Sequence, residues 1–288
     1  MSPAPRFSIL TPVYKPRPEQ LQETIDSVKS QLFEDWELIL VDDASKDPDV
    51  TAVLERAAAT DPRITVVTRD ENGHIVAASN DALAKASGEW IVLLDHDDLL
   101  VPGSLLRLHE SIEDNPSAGY VYTDEDKIDD QGTLSEEFRK PDWSPERLRH
   151  QMYLGHLSAL RHDLVTQVGG FREGFDGSQD HDLALRVTEI AETVIHVPEV
   201  LYHWRIVPGS AAGDPNAKDY ATQAGLNAVR DHLHRLGRKQ DIVVPTAVAH
   251  TYSLVRHFDP SSRVSVVIPT RGTTALVWGK RRSLVVET

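Results

Sequence analysis

The chain contains no cysteine. Disulfides, thiolate zinc sites and a cysteine nucleophile are therefore excluded, which fits a reducing compartment. Positive charge is also in deficit, with 30 Lys and Arg against 45 Asp and Glu and a formal charge of -15. A general nucleic-acid binder needs a basic face, so nucleic acid is not an expected partner. No apolar run approaches the roughly 20 residues that span a bilayer, and the opening MSPAPRFSIL has no long apolar stretch of a secretory leader. The chain has neither a Gly-x-x-x-x-Gly-Lys-Ser/Thr phosphate loop nor a Gly-x-Gly-x-x-Gly turn, which argues against ATPase and dinucleotide-enzyme chemistry. With 40% hydrophobic and 26% charged residues over 288 positions, an ordinary globular protein with ample core is expected.

The first hundred residues alternate in period. FSILTPVY, WELILVDD, RITVVTR and WIVLL read as short strands, the first stopped by Pro12. PEQLQETIDSVKSQ, DPDVTAVLERAAA and IVAASNDALAKA read as helices, the second capped by Asp47 with Pro48 at its first position. Such alternation predicts an α/β fold, a mostly parallel sheet with helices on both faces and ligands at the carboxyl ends of the strands. Pro12 to Tyr14, Asp42 with Asp43, Arg69, and Asp95 to Asp98 all fall at those ends. Farther on, GYVYTDEDKIDDQG predicts a strand leaving into a polar loop. RHDLVTQVGGF and QDHDLALRVTEI predict helices, the second with Asp182 paired to Arg186. HVPEVLYHWR contains a strand, IVPGSAAGDPN is a loop, and DYATQAGLNAVRDHLHRLG predicts a long helix. RVSVVIPTRG, from Arg263, parallels RFSILTPVYK, from Arg6. The expected organisation is one domain over 1–260, with a nucleotide-binding half 1–100 and an acceptor half 101–260. A truncated second copy over 261–288 follows, its tail from Thr270 poorly ordered.

One segment asks for a missing positive charge. Trp90 to Leu94 run directly into Asp95, Asp97 and Asp98, a knot of like charge from which folding gains little. A divalent cation arriving with a substrate would offset that repulsion, and Mg2+ or Mn2+ accept such oxygen ligands. TDEDKIDDQG superficially suggests a calcium loop, but aligning Gly132 with the required glycine puts Lys127 at the first ligand position, and the reading fails.

TPVYK, VDDAS, NGHIVAASN, LDHDDLL, GGFREGFDGSQDHDL and YHWR, in this order from Phe7 to about Ser210, resemble family 2 glycosyltransferases of the GT-A fold. The segment GFREGFDGSQDHDL further resembles bacterial enzymes that build O-antigen and related surface polysaccharides. The resemblance implies Asp97 as a direct metal ligand, Asp95 near the donor ribose or the metal, and His203 as a third ligand. Asp98 is expected to support the turn or cap the next helix. Asp42 or Asp43 is expected at the nucleobase, in a pocket lined by Thr11, Pro12, Val13 and Tyr14, or else in a local turn. Arg69 is expected near the base or the diphosphate, or else as a solvated surface arginine, and Arg205 near the diphosphate. Asp180 is implied as the general base, with Gln179 standing where the family usually has glutamate; a plain helix cap is the alternative.

The implied activity is metal-dependent inverting transfer from a UDP- or dTDP-sugar to a glycan or lipid-linked glycan. The setting would be the cytoplasm, at the inner face of the plasma membrane, with peripheral membrane association. Two rivals are a non-catalytic sugar-nucleotide-binding module of a larger tandem enzyme and an Asp-x-Asp phosphatase. The latter usually wants threonine or valine where DHDDL offers leucine.

Overall fold

The computed structural model describes residues 4–206, 219–267, 269, 271, 274–277 and 279–283. Strands β1 (Phe7–Val13), β2 (Trp36–Asp42), β3 (Ile64–Thr68) and β4 (Trp90–Leu93) alternate with helices α1 (Pro18–Lys29), α2 (Pro48–Thr60) and α3 (His74–Leu83). Then come β5 (Leu99–Leu100), α4 (Ser104–Asp114), β6 (Ala118–Ile128), β7 (Leu134–Phe138), α5 (Pro145–His150) and β8 (Ser158–Arg161). The series closes with α6 (His162–Gln167), α7 (Gln179–Thr188), β9 (Thr193–Arg205), α8 (Asp219–Arg235), β10 (Ile242–Pro245) and β11 (Tyr252–Val255).

Local chemistry explains the first half. Pro18 opens α1, and Leu21, Ile25 and Val28 form its fully buried stripe. The Asp47 carboxylate caps α2 by accepting from the backbone N–H groups of Asp49 and Val50. Pro12 does not stop β1, which runs on to Val13. Pairing with β4 ends at Leu10, so Pro12 has a strand neighbour only in β2, an edge-like position that tolerates proline.

The central sheet has the order β3-β2-β1-β4-β8-β6-β9-β5, with β7 on β6. Pairs among β1 to β4 are parallel, as is β6 with β9, while β8 is antiparallel to both β4 and β6. Alternating residues feed two cores. Ile9, Leu38 and Leu40 join Leu21, Ile25, Leu105 and Leu108 on one face. Leu10, Ile39, Val41, Tyr120 and Tyr122 join Val76, Leu183, Leu185 and Val229 on the other.

The polar loop expected after GYVY is a strand. β6 continues through Asp124, Glu125 and Asp126 to Ile128, paired with β9 as far as Arg205. These acids are buried because each has a partner. Asp124 accepts from the Lys140 N–H at 2.8 Å and lies 2.8 Å from His196 Nε2, Glu125 pairs with Lys140 Nζ at 2.9 Å, and Asp126 pairs with His203 Nδ1 at 2.5 Å. Among the described residues no helix is long and apolar enough to cross a membrane.

The compact unit that holds this sheet ends at Val255, and a second unit spans Arg256–Thr288. In the second, β12 (Thr274–Val277) and β13 (Lys280–Ser283) form a hairpin. Residues 262–267 carry no strand, and Val264, Val266 and Val267 are 76%, 77% and 87% exposed. The rest of the tail expected to lack order, and the loop after Ile206, lie outside the described residues.

Helix α7 is anchored by one carboxylate. Asp182 is wholly buried and pairs with Arg186, as its spacing predicts, and also with Arg172, which the spacing does not reveal. Asp182→Ala removes the carboxylate that faces the buried Arg186 and leaves Arg172 only Asp231, and is expected to destabilise the fold by about 3–5 kcal/mol. Urea denaturation measures this, and a loss below about 1 kcal/mol would contradict the anchoring role.

Candidate active site

The site forms where β4 ends. Leu94 stays in the core, and the chain then turns through Asp95, His96, Asp97 and Asp98 before the short β5 pairs with Tyr202 and His203 of β9. The Nδ1 of His96 lies 3.1 Å from the Pro12 carbonyl, while its own carbonyl accepts from Thr24 at 2.9 Å. Asp98 is 1% exposed and accepts from Tyr202 Oη at 2.6 Å and from the Arg205 N–H at 2.7 Å. It supports the turn, one of its two expected roles. Arg205 donates from Nε to the Asp97 carbonyl at 2.6 Å and pairs with Glu23 at 2.6 Å.

Electrostatics distinguish this turn from an ordinary cap. Burial, followed by the charges of Asp95 and Asp97, pushes the Asp98 carboxyl well above its ordinary 3.8. Asp97 is raised too, first by burial and then by Asp95, with His96 and Arg205 opposing. Among the described residues, one group of three side chains can close on a cation. Asp95, Asp98 and His156 each offer a ligand atom within 4.8 Å of the others. Two carboxylates at that separation repel by roughly 3 kcal/mol at an effective dielectric of 20. The oxygen-and-imidazole donor set and the gathered negative charge both fit a hard or borderline dication. Asp97 and His203 are not in this group. His156 carries no sequence signal of its own, and only the pairing of Leu93 with Ser158 puts it near Asp95.

The nucleotide-side candidates gather at the ends of β1 to β3. Asp42 and Asp43 are both buried. Asp42 accepts from the Ser45 N–H at 3.0 Å, the local turn that was one of its readings. Asp43 accepts from the Gly73 N–H at 2.8 Å and pairs with Arg69 Nε at 2.9 Å, while Arg69 also bonds Asp81. A side chain on Gly73 would strike that guanidinium, because its Cβ would lie 2.5 Å from Arg69 Nη2. Thr11 and Val13 are fully buried, the Thr11 hydroxyl lacks a partner among the described residues, and Tyr14 is 44% exposed. The Pro12 carbonyl is the one that meets His96.

Asp180 lies in the first turn of α7. Ser178 occupies the cap position, so Asp180 is not the helix cap. Its carboxylate accepts from the His181 N–H at 2.8 Å. Burial first, and then the Asp180 charge, pushes the Tyr252 phenol up to about 12, and Tyr120 is raised by burial and by the same carboxylate. Tyr120 donates to Ser158 at 2.9 Å, and Ser158 pairs with Leu93, two residues before Asp95. A concavity of about 910 Å³ lined by Gly88, Glu89, Arg161 and His162 lies at the opposite end of β4 and contains none of these groups.

The sheet is mixed, and carboxylates cluster at the end of one of its central strands. The glycosyl transferase family 2 pattern matches residues 8–169, and the chain belongs to that family. It is 45% identical over 93% of its length to the uncharacterized protein y4gI of Sinorhizobium fredii, covering 30% of that protein. It is 36% identical over its whole length to the O-antigen biosynthesis protein RfbC of Myxococcus xanthus, covering 22% of it. The chain thus spans less than a third of these relatives. Among solved structures, S. aureus TarS in complex with UDP-GlcNAc superposes with a TM-score of 0.62 at 17% identity, over 79% of this chain and 66% of that one. The mannosyltransferase PcManGT from Pyrobaculum calidifontis, in complex with GDP-Man and Mn2+, gives 0.60 at 21% identity, over 82% and 65%. The fold is GT-A.

Because Asp97 and Asp98 are raised, the folded chain holds protons there more tightly than the unfolded chain does. Without a cation, their contribution to stability falls as pH rises above 3.8 toward their folded values. Mn2+ or Mg2+ is therefore expected to raise the melting temperature at pH 7 and to raise it progressively less as pH falls through that interval. Differential scanning fluorimetry measures this, and a shift independent of pH would place the cation elsewhere.

Proposed function

We propose that the chain is an inverting, dication-dependent glycosyltransferase. It moves a sugar from a UDP- or dTDP-sugar to a hydroxyl of a glycan or lipid-linked glycan in bacterial surface-polysaccharide synthesis. The observation that carries the proposal is the carboxylate cluster at the β4 end, beside the Asp43–Arg69–Gly73 network. The relative named for O-antigen biosynthesis supports the pathway class, and the neighbours solved with UDP-GlcNAc and GDP-Man support the donor class. Work in the cytoplasm, with peripheral association at the inner face of the plasma membrane, suits a lipid-linked acceptor.

In this reading Asp43 or Asp42 binds the base, Thr11 to Tyr14 line its pocket, and Asp95 lies by the ribose. Asp95 would hold Mn2+ or Mg2+, either with Asp97 and His203, as the resemblance implies, or with Asp98 and His156, which offer ligand atoms within 4.8 Å of it. When bound, the dication neutralises charge on the departing nucleoside diphosphate. Arg69 and Arg205 add positive charge near it. Asp180 takes the proton of the acceptor hydroxyl as its oxygen bonds to the anomeric carbon and the bond to the diphosphate breaks. One displacement inverts that carbon. A non-catalytic module is the second reading, favoured by Gln179, which replaces a charged neighbour of Asp180 and accepts instead from the Gly177 N–H at 2.8 Å.

Asp180→Asn is expected to lower turnover about 10²–10⁴-fold, the usual weight of a general base, while thermal-shift binding of UDP-sugar with Mn2+ persists. Asp97→Ala is expected to abolish transfer without loss of fold. Full transfer by Asp180→Asn overturns the base assignment, and donor binding by wild type with neither transfer nor donor hydrolysis establishes the module.

A further inference from the structure

We infer that His156 is the nitrogen ligand of the dication and that the buried Glu125–Lys140 pair is the device that holds it in place. The inference rests on the proposed function for the presence of a dication, and goes beyond it in naming the ligand and its support.

Proximity comes first. His156 shares with Asp95 and Asp98 a space in which one atom of each lies within 4.8 Å of the others. Orientation is the second observation. The imidazole stacks on Tyr202 with centroids 4.6 Å apart and planes 14° from parallel, and Tyr202 is the phenol that holds Asp98. The ring is thus keyed to the same side chain that fixes a carboxylate of the cluster.

The backbone of His156 is held with unusual completeness. Its N–H donates to Glu125 Oε2 at 2.8 Å, and its carbonyl accepts from Lys140 Nζ. The same ammonium donates to the Leu154 carbonyl at 2.7 Å and pairs with Glu125 at 2.9 Å, and its side chain is 0% exposed. Gly155 leaves no room for a side chain: its φ is +45°, and a Cβ would lie 2.8 Å from Glu125 Oε2. A buried ion pair that holds both backbone groups of His156 fixes where its imidazole sits, and metal ligands depend on the groups that orient them. Neutral imidazole with carboxylates is a suitable donor set for manganese.

His203 is the rival. Its Nδ1 meets Asp126 at 2.5 Å, a contact of the kind that orients a bound imidazole, yet among the described residues it joins no group of three ligands. The experiment compares the two. Mn2+ affinity is measured by isothermal titration calorimetry, with and without UDP, on the 288-residue chain and on His156→Ala, His156→Phe and His203→Ala. The phenylalanine variant keeps an aromatic ring on Tyr202 but lacks the donor nitrogen, and far-ultraviolet circular dichroism checks each fold. The expected result is at least about a tenfold loss of Mn2+ affinity in both His156 variants, with His203→Ala within about twofold of wild type. Lys140→Met is expected to weaken Mn2+ as well, without affecting binding of UDP alone. Unchanged Mn2+ affinity in folded His156→Phe overturns the inference and leaves the metal reading standing. Wild type that binds neither Mn2+ nor Mg2+, with or without UDP, removes both.

Discussion

The site depends on one buried carboxylate that bridges distant parts of the chain. Asp98 accepts from Tyr202 Oη and from the Arg205 N–H, so the turn after β4 is fastened to the end of β9 more than a hundred residues later. Burying that carboxylate beside Asp95 and Asp97 is unfavourable, as its raised proton affinity records. The two hydrogen bonds offset part of that cost within the protein, and a dication would offset more. Asp98 is therefore structural and electrostatic at once. It sets the path of the turn, and it adds to the negative field that Asp95 and Asp97 present.

A second fastening holds the start of α7. Asp180 lies between neighbours that are each tied to a different element. Ser178 donates to the Ala221 carbonyl of α8 at 2.7 Å, His181 Nε2 lies 2.7 Å from the Leu148 carbonyl of α5, and Asp182 clamps Arg172 and Arg186. Gly177, at φ +80°, lets the chain pass α8 where a Cβ would come 2.8 Å from that of Ala221. In the proposed reading, a base carried on so constrained a helix start keeps its place.

The first half of the fold was legible because its determinants are local. Periodicity located β1 to β4 and α1 to α3, and Asp47 with Pro48 marked the start of α2. The acidic stretch of β6 was misread because charge alone says loop. What makes it a strand is a set of partners, Lys140, His196 and His203, that lie 15 to 77 positions away. The carboxylates of the site were legible for the opposite reason, since a buried strand running into three aspartates is itself anomalous. Asp182 was half legible: Arg186 sits at helical spacing, while Arg172 depends on the fold of the intervening loop. His156 left no trace, because nothing in GHLSALR separates a histidine at a cation site from one on a surface.

The direction of β8 explains why such a residue belongs to the site at all. In an all-parallel sheet, functional groups follow strands, and a sequence reader looks after each apolar run. Here β8 runs antiparallel between β4 and β6, so the residues just before it lie beside the residues just after β4. Ser158 opposes Leu93, which puts Gly155 and His156 next to the DHDD turn on one side. On the other side β6 carries Glu125, with Lys140 following β7, to the same loop. Reversing one strand thus lets a segment that precedes a strand meet one that follows a strand, and the two halves of the chain contribute to one cluster of side chains. Any GT-A sheet with this reversal has a reason to keep polar residues ahead of the antiparallel strand, a place that reading strand ends alone would pass over.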